Sequence, residues 1–156
     1  MHKRFVINII SRVILLASVC MLAPLGWALH DDPRSLETKA FLETIALGFF
    51  AAGLFLWIFR VQKEYIHKIS TKDCLAIVGL SWVLLMLFGA LPLYLAGVVP
   101  HYTDAVFEIT SGFTTTGSSI FSDVEALPRG ILFWRSFTNW LGGAGIVVLY
   151  IVLLPS

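Results

Sequence analysis

The run Asp104-Ala-Val-Phe-Glu-Ile-Thr-Ser-Gly-Phe-Thr-Thr-Thr-Gly-Ser-Ser119, inside the stretch Pro100 to Arg129, decides how the chain is read. Two apolar segments flank it, Leu75 to Val99 and Ile131 to Leu154, each long enough to cross a bilayer as a helix. The run between them is too short. As a helix, Asp104 to Phe113 would extend roughly 15 Å, about half the hydrocarbon thickness, so it enters a membrane without reaching the far side. Thr114-Thr-Thr-Gly-Ser118 then interrupts the helix, because hydroxyls compete for backbone hydrogen bonds and glycine supplies a positive φ. Non-helical backbone at membrane depth is tolerated only where protein buries it or it lines a water-filled cavity. The stretch therefore reads as a re-entrant pore loop.

Outward from that loop, the composition agrees. The chain is 58% hydrophobic and 13% charged, and its charges are bunched between apolar runs, which is the habit of an integral membrane protein. The formal net charge of +1 offers nothing to nucleic acid. Phe5 to Leu29 is the first predicted span. Its length, with Arg12 and Pro24 inside it, argues for a retained helix over a cleaved signal. A polar connector, His30 to Lys39, leads to a second span, Ala40 to Phe59, in which Glu43 reaches back to the interface. Arg60 to Lys72 is the most basic connector, and its Val61, Tyr65, Ile66 and Ile69 predict a short helix lying in the interface. The excess of Lys and Arg there and at the amino terminus puts both termini in the cytoplasm and opens the pore loop to the outside.

The third span runs from Leu75 to Val99, after which Thr103 or Asp104 is the expected cap of the half-crossing helix. The last span holds Trp134 and Trp140 near the outer interface and Gly142-Gly-Ala-Gly145 near its middle. Those glycines read as helix packing, with a hinge as the alternative. Cys20 and Cys74 lack metal-ligand spacing and read as buried thiols. The whole predicts an all-α integral membrane protein of four transmembrane helices plus one re-entrant pore helix and filter loop. Residues 1–74 form two leading helices and a cytoplasmic connector, and residues 75–156 form one helix, pore-loop, helix unit.

The chemistry of the loop suits a cation. The negative pole of the half-crossing helix, near Phe113, points into the membrane. Carbonyls of Thr114, Thr115 and Thr116 replace hydration oxygens without adding fixed charge, threonine hydroxyls add oxygens, and Gly117 gives the backbone freedom to turn carbonyls toward one axis. Asp123 and Glu125 form a mild acidic rim outside. Arg135 lies inside the last span, and Glu108 is its nearest plausible partner in depth; snorkelling to the interface is the alternative. No nucleophile, base and orienting acid converge, and no phosphate loop is present, so an enzyme is disfavoured. A non-conducting membrane scaffold remains the second reading.

Asp104-Ala-Val-Phe-Glu-x-x-Ser-Gly-Phe-Thr-Thr-Thr-Gly117, Leu127-Pro-Arg-Gly-x-Leu-x-Phe-Trp-Arg-Ser136 and Trp140-Leu-Gly-Gly-x-Gly-Ile146 together resemble the first pore unit of TrkH/TrkG-type bacterial potassium uptake proteins, in the Trk/Ktr/HKT superfamily. The resemblance is specific over Tyr102 to Leu154. It implies four such units around one pore in the bacterial inner membrane, with Gly117 as one filter glycine and Thr114, Thr115, Thr116 and Ser118 beside it. It also implies potassium held by the backbone of Thr115, Thr116 and Gly117, and no cofactor. The partners it implies are a second copy of the complete transporter and a cytoplasmic, nucleotide-binding TrkA-like regulatory ring. One unit supplies a quarter of a coordination ring, so the chain is expected to be the amino-terminal part of a longer transporter.

Overall fold

The first apolar run is laid out by a proline. In the computed structural model, which describes residues 3–59 and 71–153, the run forms two helices, α1 (Lys3–Cys20) and α2 (Leu22–Asp31), rather than one uninterrupted span from Phe5 to Leu29. Pro24 has no N–H to offer the Cys20 carbonyl, and it is tolerated in the first turn of α2, where no intrahelical donor is needed. Helix α1 packs on the third and fourth helices, while α2 packs on the third and the last.

Helix α3 (Leu36–Ile58) begins earlier than the span expected from Ala40, because the connector caps it. Ser35 Oγ accepts from the Thr38 amide at 3.1 Å, and the Thr38 hydroxyl donates to the Asp32 carbonyl at 2.9 Å. Helix α4 (Thr71–Leu95) stops four residues short of the expected Val99. Gly97, at φ +70°, ends it: the Gly97 amide donates to Tyr94 O and the Val98 amide to Leu93 O, a Schellman closure. Helices α5 (Tyr102–Phe113) and α6 (Arg129–Leu153) complete the order, and no strand occurs among the described residues. The interfacial helix expected over Arg60 to Lys72 falls mostly on residues 60–70, which lie outside the described residues.

Three stretches are long and apolar enough to cross a membrane, Arg4–Asp31, Leu36–Ile58 and Cys74–Leu95. Their outward faces fit that solvent: Phe50 and Trp57 of α3 are 72% and 71% exposed, a surface that water would disfavour and hydrocarbon would not. Cys74 is also exposed and only Cys20 is partly covered, which corrects the expectation of two buried thiols; little of α4's apolar surface is covered by its neighbours.

Two buried side chains, Glu37 and Trp134, tie the first turns of α6 to α3 and α4. The carboxylate of Glu37, in the first turn of α3, accepts from the Ile131 amide at 2.7 Å and so caps α6 from another helix. Gly130 makes room, since a Cβ there would lie 2.6 Å from Glu37 Oε1 and 2.8 Å from the Pro24 carbonyl. The Trp134 indole donates to the Gly89 carbonyl of α4 at 2.9 Å, and its ring is fully buried with Leu93, Ile109 and Ile131. Trp134 is therefore a core anchor, and Trp140, 65% exposed, faces outward.

Glu37→Ala leaves the Ile131 amide without its buried acceptor and is expected to destabilise the helix bundle by about 1–2 kcal/mol. Glu37→Gln, which keeps an accepting oxygen, should lose less than half of that. Thermal unfolding of the purified variants in detergent checks the order.

Candidate functional site

A short helix ends between two long ones. Helix α5 has 12 residues, about 18 Å, and packs against both α4 and α6. Its start is tied to α4 by the Tyr102 hydroxyl, which donates to the Leu87 carbonyl at 2.5 Å, one turn before Pro92 interrupts the hydrogen-bond ladder. Its end, Phe113, meets Trp82 edge-on with ring centroids 6.3 Å apart, near the middle of α4. The expected cap at Thr103 or Asp104 is corrected. His101, extended after Pro100, is the N-cap residue and makes no side-chain bond, while Thr103 and Asp104 lie in the first turn. There the Asp104 carboxylate still meets the positive pole of the helix.

Glycines set how deep α5 sits. A Cβ on Gly142 of α6 would run into the carbonyl of Phe113, 2.7 Å from its carbon and 2.9 Å from its Cα. One on Gly112 would collide with the Thr138 hydroxyl, and one on Gly89 would crowd Ile109 at 3.2 Å and Phe113 at 3.3 Å. At Gly142 the cluster Gly142-Gly-Ala-Gly145 thus serves close packing. Gly143 has only Thr115 Cγ2 nearby, at 3.8 Å.

Beyond Phe113 the chain leaves the helix through a second Schellman closure. The Thr115 amide donates to Gly112 O and the Thr116 amide to Ser111 O, both at 2.9 Å. The left-handed position that Gly97 fills at the end of α4 is here filled by Thr115, at φ +55°. A β-branched residue is strained there, by about 1–2 kcal/mol. Gly117 follows at φ +77°. The Thr114 hydroxyl gives its one proton to Thr110 O at 2.7 Å, so across the 2.8 Å contact between Thr114 and Thr116 the Thr116 hydroxyl is the donor. Both hydroxyls hold the loop's shape. The carbonyls of Thr114, Thr115, Thr116 and Gly117 accept no hydrogen bond among the described residues, and the whole of 114–120 is exposed. Ser118 differs, since its carbonyl accepts from the Ser111 hydroxyl at 2.6 Å.

The return arm is fastened by a buried carboxylate. Glu108 accepts from the Ser119 hydroxyl at 3.0 and 3.2 Å and from the Ile120 amide at 3.0 Å. Arg135 Nε of α6 donates to its Oε1; the Glu108 side chain is wholly buried and that of Arg135 is 20% exposed. Every donor is charge-assisted by the carboxylate, which is how a buried charge is tolerated. Asp104, Asp123 and Glu125 are not drawn into this cluster. Asp123 instead accepts from the Glu125 amide at 3.0 Å on the exposed loop. A cavity of about 510 Å³ lies behind the loop, lined by Glu108, Ser111, Gly117, Arg135, Asn139 and Trp140. Among the described residues no group of three or more histidine, cysteine and acidic side chains is placed to hold a metal ion.

Removing one partner of a buried, hydrogen-bonded pair strands the other. Arg135→Gln is expected to cost about 3–5 kcal/mol, read as a lower unfolding midpoint in lipid or detergent. Gly142→Ala should cost about 3 kcal/mol or more, because backbone must move, while Gly143→Ala should be nearly neutral. The two glycine variants form an internal control, measured in the same unfolding experiment.

Comparison with known proteins agrees with this architecture. Residues 38–156 match the TrkH family of cation transport proteins. The Trk system potassium uptake protein TrkH of Halomonas elongata is 35% identical over 157 residues, covering all of this chain and 32% of that protein. For the Trk system potassium uptake protein TrkG of Escherichia coli the identity is 35% over 155 residues, with 99% and 31% covered. The crystal structure of the potassium transporter TrkH from Vibrio parahaemolyticus matches with a TM-score of 0.88 at 36% identity, over 100% of this chain and 32% of that one. The chain spans about a third of the length of these relatives. With that match over residues 38–156 and relatives alike along its length, the chain belongs to the TrkH family of cation transport proteins, a family of transporters and not of enzymes.

Proposed function

We propose that this chain builds one quarter of a potassium-selective pore, in which α5 is the re-entrant pore helix and the backbone carbonyls of Thr114, Thr115, Thr116 and Gly117 replace the hydration shell of an entering ion. The single observation carrying this reading is the pair of left-handed residues, Thr115 and Gly117, which turn four consecutive carbonyls away from any protein donor just past the end of a half-length helix. Uncharged oxygens suit an ion that must leave as readily as it arrives. The negative pole of α5 lies at the same place and favours a cation.

In this reading α1 with α2, α3, α4 and α6 cross the membrane, and α5 enters from outside and stops midway. The first two spans and the basic connector make up residues 1–74, and the pore unit makes up residues 75–156. Both termini face the cytoplasm of a bacterial inner membrane. Potassium moves inward down its electrochemical gradient. A ring of oxygens needs three more such loops, which the remaining two thirds of the relatives' length is long enough to hold. The complete transporter works as a dimer with a TrkA-like regulatory subunit. Relatives named as potassium uptake proteins or a potassium transporter support the choice of ion.

The test is a transporter in which residues 1–156 replace the matching third of the Vibrio parahaemolyticus protein. Space around Gly117 is open, so Gly117→Ser acts through backbone conformation alone, at about 1–2 kcal/mol. It should lower rubidium uptake relative to sodium uptake by about tenfold. An unchanged ratio, or a cysteine at position 117 that only cytoplasmic reagents label, contradicts the pore and favours a non-conducting scaffold.

A further inference from the structure

Three hydrogen bonds converge on one residue of α5. The Ser111 carbonyl accepts the Thr116 amide at 2.9 Å and the Gly117 amide at 3.5 Å, and the Ser111 hydroxyl donates to the Ser118 carbonyl at 2.6 Å. Ser111 is buried, 6% exposed, and lies one helical turn from Glu108 on the same face. Glu108 grips the next two residues of the loop, Ser119 and Ile120. The loop is therefore held on its helix at every residue from Thr116 to Ile120, and the hold changes character at Gly117. Before it, amides point to the helix and carbonyls are free. After it, the Ser118 carbonyl itself points to the helix.

We infer that Ser111 is a specificity-determining positioning residue: its hydroxyl draws the Ser118 carbonyl out of the ion's path and so ends the row of ion-facing carbonyls at Gly117. The inference rests on the pore reading above and narrows it. A carbonyl bent toward an α5 hydroxyl has one lone pair engaged and its dipole turned from the axis. Released, the Ser118 carbonyl is free to swing toward the axis and enlarge or blur the site that Thr116 and Gly117 bound. Glycine at 117 has the conformational freedom to transmit that swing, with nothing within 4 Å of where a Cβ would stand. Ser111 touches no ion itself; it sets which oxygens do.

The experiment compares Ser111→Ala and Ser111→Thr in the transporter carrying residues 1–156, with Gly117→Ser alongside. Ser111→Ala should lower the rubidium-to-sodium uptake ratio roughly fivefold, the order that one lost hydrogen bond commands, with membrane levels unchanged. Ser111→Thr keeps the hydroxyl and should retain the ratio. If Gly117→Ser lowers the ratio and Ser111→Ala does not, the inference is overturned and the pore reading stands. Equal losses in the alanine and threonine variants also overturn it, because packing would then be the cause. If neither Gly117→Ser nor Ser111→Ala changes the ratio, the pore reading itself fails and takes the inference with it. A measurement independent of transport is amide hydrogen exchange in the purified 156-residue chain in lipid nanodiscs. Ser111→Ala keeps the carbonyl that the Thr116 and Gly117 amides bond, but a loop released at Ser118 opens from it more often, so exchange at those two amides should speed roughly fivefold while the α5 amides stay unchanged. Equal rates in the two forms refute the clamp even where the transporter does not assemble.

Discussion

Three missing side chains let the short helix in. Gly89 on α4, Gly112 on α5 and Gly142 on α6 lie where α5 is wedged between its neighbours, and at Gly112 and Gly142 a single methyl group would meet another residue's atoms inside contact distance. The Phe113 carbonyl rests against the backbone of α6 itself. That contact fixes the depth at which α5 stops, and so fixes where its left-handed exit begins. Without it, the loop would start at a different level along α4 and α6, and Glu108, Arg135 and Ser119 would not meet. Between helices in lipid, where no hydrophobic effect drives association, close backbone approach of this kind supplies much of the packing energy.

Polar groups then do what apolar packing does not. Several connections between distant helices are made by a side chain bonding to backbone or to a buried charge: Glu37 to the start of α6, Trp134 to α4, Tyr102 to α4, Glu108 and Arg135 between α5 and α6. Two of them use the α4 carbonyls of Leu87 and Gly89, on either side of Phe88, whose carbonyl is the one that Pro92 leaves without a helical donor. These two bonds fasten α5 and α6, the elements that flank the loop, to one stretch of α4. The two Schellman closures make the same point about conformation. At the end of α4 the left-handed residue is Gly97, which is relaxed, and the chain simply turns toward the surface. At the end of α5 it is Thr115, which is strained, and the strain is sustained by the bonds around it.

Much of this was legible in the residues and some was not. Hydropathy and length revealed the long helices because burial in hydrocarbon demands unbroken apolar runs, and the half-length of Asp104 to Phe113 marked α5 for the same reason. Helix ends were less legible. Ser35 capping α3, Gly97 closing α4 and His101 preceding α5 moved boundaries by several residues, since apolar runs continue past the point where a hydrogen bond stops the helix. The partnership of Glu108 and Arg135 was reachable from depth alone. The acceptor role of Glu37 was not, because nothing local links residue 37 to residue 131, and a short-range pattern carries no information about a cap supplied by another helix. Ser111 had a faint signal, its spacing of three from Glu108, but a serine in a helix is common, and only the returning strand gives its hydroxyl a partner.

The exposed loop leads to one more step. Carbonyls at 114–117 with no protein donor are unfavourable beside lipid, where an unsatisfied polar backbone group costs several kcal/mol. They are tolerable only beside water, beside an ion, or beneath further protein. The cavity that Gly117 lines also has Asn139 and the 65% exposed Trp140 in its wall, so polar and aromatic groups stand close to the loop. Relatives about three times as long carry further chain that, in the pore proposed above, would cover the loop and bring the oxygens that one loop lacks. At Thr115 the left-handed backbone closes α5 and sets the direction in which the loop's carbonyls leave the helix, and the bonds around it sustain the strain.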